Sequence, residues 1–427
     1  MGIQKVLIAM ATLLSSFHVF ATANCVPGVY SDGSTNAAIL RNDLAQGSGI
    51  RYLMLDGIFG NTQSKSIPFH CQSTFIRLNS GATAPLKQVS LRRTSTTFMS
   101  AHTHLSGELI EPVGASQNTY PLIVMVHGSE QDPAIGNSKA MLLAAMGIAV
   151  FVYDKRGTGQ SAGFYTQNFE LLAEDAAMAM RHSRSLVTGY IKRAGFWGES
   201  QGGWVAPLAA TLTPVDFIVV SYGLIASPIE EDLDQMLLEA QQQQLSEHQL
   251  KHIRRLSKIT AKILLSNFNV GFVELESLRK ELKLQPWINS INGEYSGAMF
   301  RMSDKDLRRI GHAYFDNLEL IWNYESMSVL KKLQVPILWI VAEKDREAPI
   351  ERTLQSLRTL KKINSTLHVY IFPDTDHGMY EYKEQPDGSR TNIRVANGYF
   401  RLIAEWINEK EQPYSGNGFV IDSVNRF

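Results

Sequence analysis

Five consecutive residues, Gly198-Glu199-Ser200-Gln201-Gly202, set a serine between two glycines, each two positions away. A serine hydroxyl is thrust forward to attack a carbonyl carbon when it sits in a sharp, strained turn. Such a turn leaves no room for side chains two residues to either side. The five-residue pattern alone arises by chance in about one chain in ten of this length, so its surroundings decide its weight. It follows the short apolar run 194–197 and precedes the helix-like stretch 203–212, the order strand, turn, helix that a nucleophile elbow needs. The helix would aim its positive end at the seryl oxygen and at any oxyanion formed there.

Attack by a serine also requires a base, an acid to orient that base, and donors for the oxyanion. Three further segments qualify. His127-Gly128-Ser129 follows the apolar run 122–126. Asp345 closes Glu343-Lys344-Asp345 after the run 335–341, and His377 lies in Asp374-Thr375-Asp376-His377-Gly378 after the run 367–372. Together with 148–153 and 217–221, these runs alternate with helical stretches at 140–146 and 171–186, which predicts parallel strands covered on both faces. Loops after parallel strands gather at the carboxyl edge of the sheet, where α/β folds place ligands. The order Ser, Asp, His along the chain belongs to one version of the catalytic triad. Asp374 and Asp376 share a loop with His377 and are poorly placed to reach its far ring nitrogen, which favours Asp345 as the acid.

The alternation stops near Ala226. Residues 226–334 read as helices rich in Gln, Lys, Arg and Leu. Ser246 with Gln249 forms a capping box, with Leu245 and Leu250 as its hydrophobic staple. A second helix starts at Ser303 and carries Leu307, Ile310, Phe315, Leu318 and Trp322. The run 241–244 is a solvated helix end. A helix is expected over 395–407, and residues 409–427 fit no element. Before the alternation, residues 24–112 read as short strands at 51–55, 73–78, 87–92 and 98–109, the first entering a tight turn at Asp56-Gly57. The expected division is 1–23, a leader; 24–112, a small β-rich module; 113–225 with 335–427, an α/β core; and 226–334, a helical cap inserted over the site.

Lys5, the apolar stretch 6–20 and Ala21-Thr22-Ala23 describe a secretory signal peptide cut after Ala23, with an uncleaved anchor as the alternative. Lipid attachment at Cys25 is disfavoured, because Thr22-Ala23-Asn24 lacks the residues that usually precede it. Export implies a periplasmic or secreted protein. The two cysteines, Cys25 and Cys71, then pair as a disulfide in an oxidising compartment, two free thiols being the alternative. Lys plus Arg and Asp plus Glu each number 41, which gives no electrostatic reason to expect a nucleic acid partner. No segment after the leader is apolar for long enough to span a bilayer. His102 and His104 alternate on the strand expected over 98–109, but no third ligand accompanies them, so no metal is implied. Asp154 and Arg156 brace a loop beside the site, with Arg156 within reach of a substrate carboxylate.

His127-Gly128-Ser129, Asp154-x-Arg156-Gly157-x-Gly159-x-Ser161, the elbow at Ser200, Glu343-Lys344-Asp345 and Asp376-His377-Gly378 together resemble the α/β-hydrolase superfamily. The resemblance spans about 120–380 and is strongest to secreted or periplasmic esterases related to dienelactone hydrolase and prolyl-oligopeptidase-type peptidases. It implies Ser200 as nucleophile, His377 as base and Asp345 as the acid that orients it. The oxyanion donors would be the Gln201 N–H and, by the resemblance, the Ser129 N–H. The expected activity is cleavage of carboxylic esters, with a small-molecule ester or a short peptide as substrate and no cofactor. A peptidase on short peptides, an acyltransferase, and a binding module on an inactive scaffold are the rival expectations.

Overall fold

The computed structural model describes residues 25–43, 49–64, 66–72, 74–79, 84–113 and 119–421; the expected leader, 1–23, lies outside them. Near the N-terminus, apolar and polar residues alternate, as where Phe69 and Cys71 point inward and His70 and Gln72 outward. That alternation leaves the outer strands of an antiparallel sheet with a wet face, whereas residues 29–31 and 37–40 of its middle strands are buried on both faces. Its strands are β1 (Gly28–Ser31), β2 (Ala37–Asn42), β3 (Ile50–Met54), β4 (Phe59–Asn61), β5 (Phe69–Gln72), β6 (Phe75–Leu78) and β7 (Leu86–Val89), in the order β4-β3-β2-β1-β7-β6-β5. Tyr30, Leu40, Phe69 and Leu86 form its own core, while Val29, Ala37 and Ile39 join the core of the larger sheet. The turn after β3 falls at Gly57, whose φ of 90° suits glycine.

Cys25 and Cys71 are joined by a disulfide that ties the first described residue to β5. Chain entropy assigns a loop of 46 residues about 4 kcal/mol. Cys71→Ser is therefore expected to lower the denaturation midpoint of this sheet without abolishing activity; an unchanged midpoint would contradict it.

The apolar runs form the second sheet, of nine strands. Its strands include β8 (Leu91–Ser100), β9 (Thr103–Pro112), β10 (Thr119–Val126), β11 (Ala149–Tyr153), β12 (Tyr190–Glu199), β13 (Phe217–Ser221), β14 (Ile337–Ala342) and β15 (Leu367–Phe372). A three-stranded antiparallel sheet of β16 (Thr375–Asp376), β17 (Tyr380–Glu384) and β18 (Arg390–Val395) follows, and β19 (Phe419–Val420) returns to the edge of the large one. The large sheet runs β19-β15-β14-β13-β12-β10-β11-β9-β8, parallel from β15 through β11 and antiparallel at both ends. The order turns back on itself at β10, between β11 and β12. A crevice opens at such a switch point outside the strand ends.

Helices cover both faces. Helix α1 (Ser138–Ala145) lies on one face, while α2 (Phe169–Leu186) and α3 (Gly202–Leu212) lie on the other. Helices α4 (Pro228–Gln242), α5 (Glu247–Leu265), α6 (Phe272–Leu282), α7 (Ser296–Arg301) and α8 (Asp304–Phe315) come between β13 and β14 and pack around a separate core that includes Ile253, Leu275 and Met299. Ser246 and Gln249 form the capping box of α5. Helices α9 (Ser326–Leu330) and α10 (Glu351–Lys361) rejoin the α3 face, and α11 (Tyr399–Ile407) packs beside α1.

Four sequence expectations are corrected. The stretch 98–109 is not one strand but the hairpin of β8 and β9, turning at Ala101 and His102 with φ of 43° and 61°. His102 thus sits in a turn, and it does not share a strand face with His104. The stretch 91–112 belongs to the large sheet rather than to the N-terminal module. The helix from Ser303 ends at Phe315, leaving Leu318 and Trp322 in the following loop, where they line the pocket. The last helix begins at Tyr399, because Val395 closes β18.

Candidate active site

Backbone geometry at Ser200 follows from its neighbours. Ser200 has φ of 51°, in the left-handed region that a non-glycine residue occupies only under constraint. A Cβ on Gly198 would lie 2.2 Å from the Gly202 carbonyl oxygen, and one on Gly202 would lie 2.1 Å from that of Val126. Both glycines are therefore required by close backbone approach. The turn is held by hydrogen bonds from Ser200 N–H to Ser221 O (3.1 Å) and from Gly203 N–H to Ser200 O (2.7 Å). Helix α3 starts at once and directs its N-terminus at the serine.

Beside the serine stands His377, delivered by the loop after β15. Its Nε2 lies 3.1 Å from Ser200 Oγ, and its Nδ1 lies 2.9 Å from Asp345 Oδ2. Asp345, 4% exposed, also accepts from the N–H groups of Glu347 and Ala348 through Oδ1. Both carboxylate oxygens are thus engaged and the side chain cannot swing away. Asp376 does different work: it accepts from the N–H groups of His377 and Arg346 and pairs with Arg390, which fixes the loop. Asp374 takes no contact with the ring among the described residues. The Tyr222 ring meets the imidazole edge-on, centroids 5.0 Å apart, and closes its other side.

Burial works against a charged His377. The Asp345 carboxylate and hydrogen bond, with Glu347 and Asp376, outweigh it and raise the imidazole to about 9. Glu347 Oε1 lies 3.7 Å from Nε2, on the pocket side.

The N–H groups of Ser129 and Gln201 have no protein acceptor among the described residues, and both residues line the same cavity as Ser200. Asp154 holds the neighbouring loops by accepting from the N–H groups of Ala134, Ile135 and Gln160. Arg156 is committed to a buried pair with Asp175, with contacts of 2.8 and 2.6 Å, which removes it from reach of a substrate carboxylate. Among the described residues, no cluster of three metal-ligating side chains occurs.

A cavity of about 480 Å³ opens over Ser200. The large sheet supplies its floor with Ser129, Ser200, Gln201 and Tyr222, and the inserted helices and their connections supply Tyr295, Tyr314, Phe315 and Trp322. Three carboxylates also face it: Glu231 from α4, Glu294 from the turn before α7, and Glu347. Burial, then the charges of Glu294 and Glu347, push the Glu231 carboxyl well above its ordinary value. The Tyr295 hydroxyl and the Gln201 side-chain oxygen are buried at this cavity without a partner among the described residues. Sequence reasoning missed these glutamates, because they come from three separate elements and no spacing links them. Only Glu347, two residues beyond Asp345, carries a local hint.

Residues 117–263 match the model of the serine aminopeptidase family, and residues 301–400 that of the prolyl oligopeptidase family. No curated protein sequence matches the chain. Similar solved structures include an esterase of Pyrococcus furiosus, at 14% identity over 67% of this chain and 83% of that one, with a TM-score of 0.42. An acylaminoacyl peptidase of Pyrococcus horikoshii is 15% identical over 94% of this chain and 52% of that one, with a TM-score of 0.46. A proline iminopeptidase of Mycobacterium smegmatis is 16% identical over 74% of this chain and 98% of that one, with a TM-score of 0.44.

Proposed function

We propose, for a chain that belongs to the α/β-hydrolase superfamily and is a hydrolase, that it cleaves carboxylic esters through an acyl-enzyme on Ser200. The observation that carries this reading is the relay from Asp345 through His377 to Ser200 Oγ, with contacts of 2.9 and 3.1 Å. His377 Nε2 takes the Ser200 proton as Oγ bonds to the carbonyl carbon. The resulting oxyanion is met by the N–H groups of Gln201 and Ser129. As the carbon–oxygen bond to the leaving alcohol breaks, His377 returns the proton to that alcohol. Water then gives its proton to His377, attacks the acyl carbon and releases the acid, and Ser200 recovers its proton. Asp345 holds the Nδ1–H tautomer throughout and stabilises the imidazolium. The inserted helices limit substrate size and exclude bulk water.

His377 must be neutral to act as a base, so kcat/KM rises as pH increases through its ionisation, in a window above the ordinary 6.5 and toward about 9. Glu347→Gln removes one of the charges that raise it and should move this limb to lower pH. A limb unchanged in the variant would mean that Glu347 does not act on the base.

A second reading is favoured by Glu231, Glu294 and Glu347: acyl substrates with a free amino group, including short peptides. Two carboxylates, a Glu231 carboxyl that a bound cation would help to ionise, and a tyrosine hydroxyl without a partner among the described residues make a pocket suited to a cation. A panel of short-acyl esters against aminoacyl esters and amides separates the two readings. Turnover of neutral esters supports the first; turnover confined to substrates with a free amino group moves the second ahead. In that case, Glu294→Gln should raise KM for cationic substrates by about tenfold, as loss of a charge-assisted hydrogen bond does, and leave neutral esters unaffected. Export to an oxidising compartment, periplasmic or extracellular, belongs to the same proposal: it rests on Lys5, the apolar stretch 6–20 and Ala21-Thr22-Ala23, which would leave a mature chain beginning at Asn24, and a Cys25–Cys71 disulfide is compatible with it.

A further inference from the structure

Behind the serine lies a buried lysine that takes no part in the steps above. Strands β10 and β11 pair in parallel, with Leu122 opposite Ala149 and Val124 opposite Phe151. Continued past the strand ends, that register sets Gly128 beside Lys155. The Lys155 ammonium donates to the Gly128 carbonyl oxygen and lies 5.1 Å from the centre of the Tyr165 ring. The Tyr165 hydroxyl in turn donates to the Ser129 carbonyl oxygen. Two consecutive carbonyls of the loop after β10 are thus each gripped by a separate donor.

In a planar trans peptide the N–H points opposite to the C=O of the same unit. A grip on the Gly128 carbonyl therefore fixes the direction of the Ser129 N–H and sends it to the side away from Lys155. Packing alone gives no reason for a lysine here. It is 3% exposed, and an uncharged side chain of similar length would fill the space without the desolvation cost of an ammonium.

Charge adds a second reason. The Glu130 carboxylate lies close to the serine: a Cβ on Gly128 would stand 2.6 Å from Glu130 Oε2 and 3.1 Å from Ser200 Cβ. Burial alone would raise Glu130, but His127, 3.2 Å away, and Lys155 more than offset it and keep it ionised. An unbalanced carboxylate at that place would oppose a developing oxyanion.

We propose that Lys155 is a positioning residue for the oxyanion site: it locks the 128–129 peptide with the Ser129 N–H turned to the oxyanion and balances the adjacent Glu130. The inference rests on the serine-hydrolase reading of Ser200.

The test compares wild type, Lys155→Met and Tyr165→Phe in three measurements: phosphonylation rate with a fluorophosphonate, kcat and KM for a short-acyl p-nitrophenyl ester, and inhibition by a short alkylboronic acid. The boronate adduct places an oxygen where the oxyanion forms, whereas KM reports the ground state when chemistry is slow. Lys155→Met is expected to lose ~10–100-fold in kcat, phosphonylation rate and boronate affinity, short of deleting a donor outright, with KM little changed. Tyr165→Phe frees the Ser129 carbonyl, which belongs to the next peptide, and leaves a ring beside the ammonium, so it should show the same pattern more weakly, several-fold at most. If Lys155→Met does not fold, Lys155→Gln, which likewise removes the charge and falls short of the Gly128 carbonyl, decides in its place. Wild-type kcat and boronate affinity in the folded variants would overturn the inference while leaving the Ser200 reading intact. A wild-type protein that is not phosphonylated at Ser200 would overturn both.

Discussion

Ser200→Ala is expected to reduce turnover by ~10⁴-fold or more, to the level left by oxyanion donors and binding alone. The effect is large because in the proposed mechanism the hydroxyl is the group that bonds to the substrate, and among the described residues no second one stands at His377 Nε2, whose near neighbours are Ser200 Oγ and the Glu347 carboxylate. The loss should fall on kcat, since alanine removes only the hydroxyl from the cavity wall and the elbow is set by Gly198 and Gly202 rather than by the serine side chain. A variant with unchanged denaturation midpoint and more than about one hundredth of wild-type turnover would place the nucleophile elsewhere.

The second large effect separates the two aspartates nearest the histidine in the chain or in space. Asp345→Asn keeps the shape but puts an amide opposite Nδ1. An amide N–H facing the ring favours the tautomer with its proton on Nε2, where it cannot accept from Ser200. A fall on the order of 10⁴-fold in kcat follows. Asp376→Asn, by contrast, weakens a loop brace to Arg390 and the 346 and 377 N–H groups, and its cost should stay within about tenfold. Steady-state kinetics of the two variants under the same conditions check this. Near-normal activity of Asp345→Asn, with Asp376→Asn crippled, would reverse the assignment.

The sequence exposed these residues because each follows a continuous apolar run, and a buried parallel strand is the element that such a run describes most plainly. Ser200, His377 and Asp345 needed only the further rule that loops after parallel strands meet at one edge. Other features had no local sign. The hairpin at Ala101 and His102 uses left-handed backbone without the glycine or asparagine that usually marks it. Strands β17 and β18 are rich in charged and polar residues and mostly half-buried or exposed, so no apolar period shows through, and Val395 reads as part of the helix beyond it. The two residues of β19 are too few to carry any pattern. Helix α8 stops at Phe315, although Leu318 and Trp322 continue a helical spacing, because those side chains turn to the cavity. The acidic lining from Glu231, Glu294 and Glu347 and the contact of Lys155 with Gly128 exist only once distant segments have been brought together.

The central claim is that Ser200 is the group activated by His377. Its most direct test is treatment of the wild-type protein with a fluorophosphonate, followed by intact mass and peptide mapping. One adduct per chain is expected, on the peptide that carries Ser200, with labelling that speeds up as pH rises through the ionisation of His377. An adduct on another residue, or an unmodified Ser200 in folded protein, would contradict it.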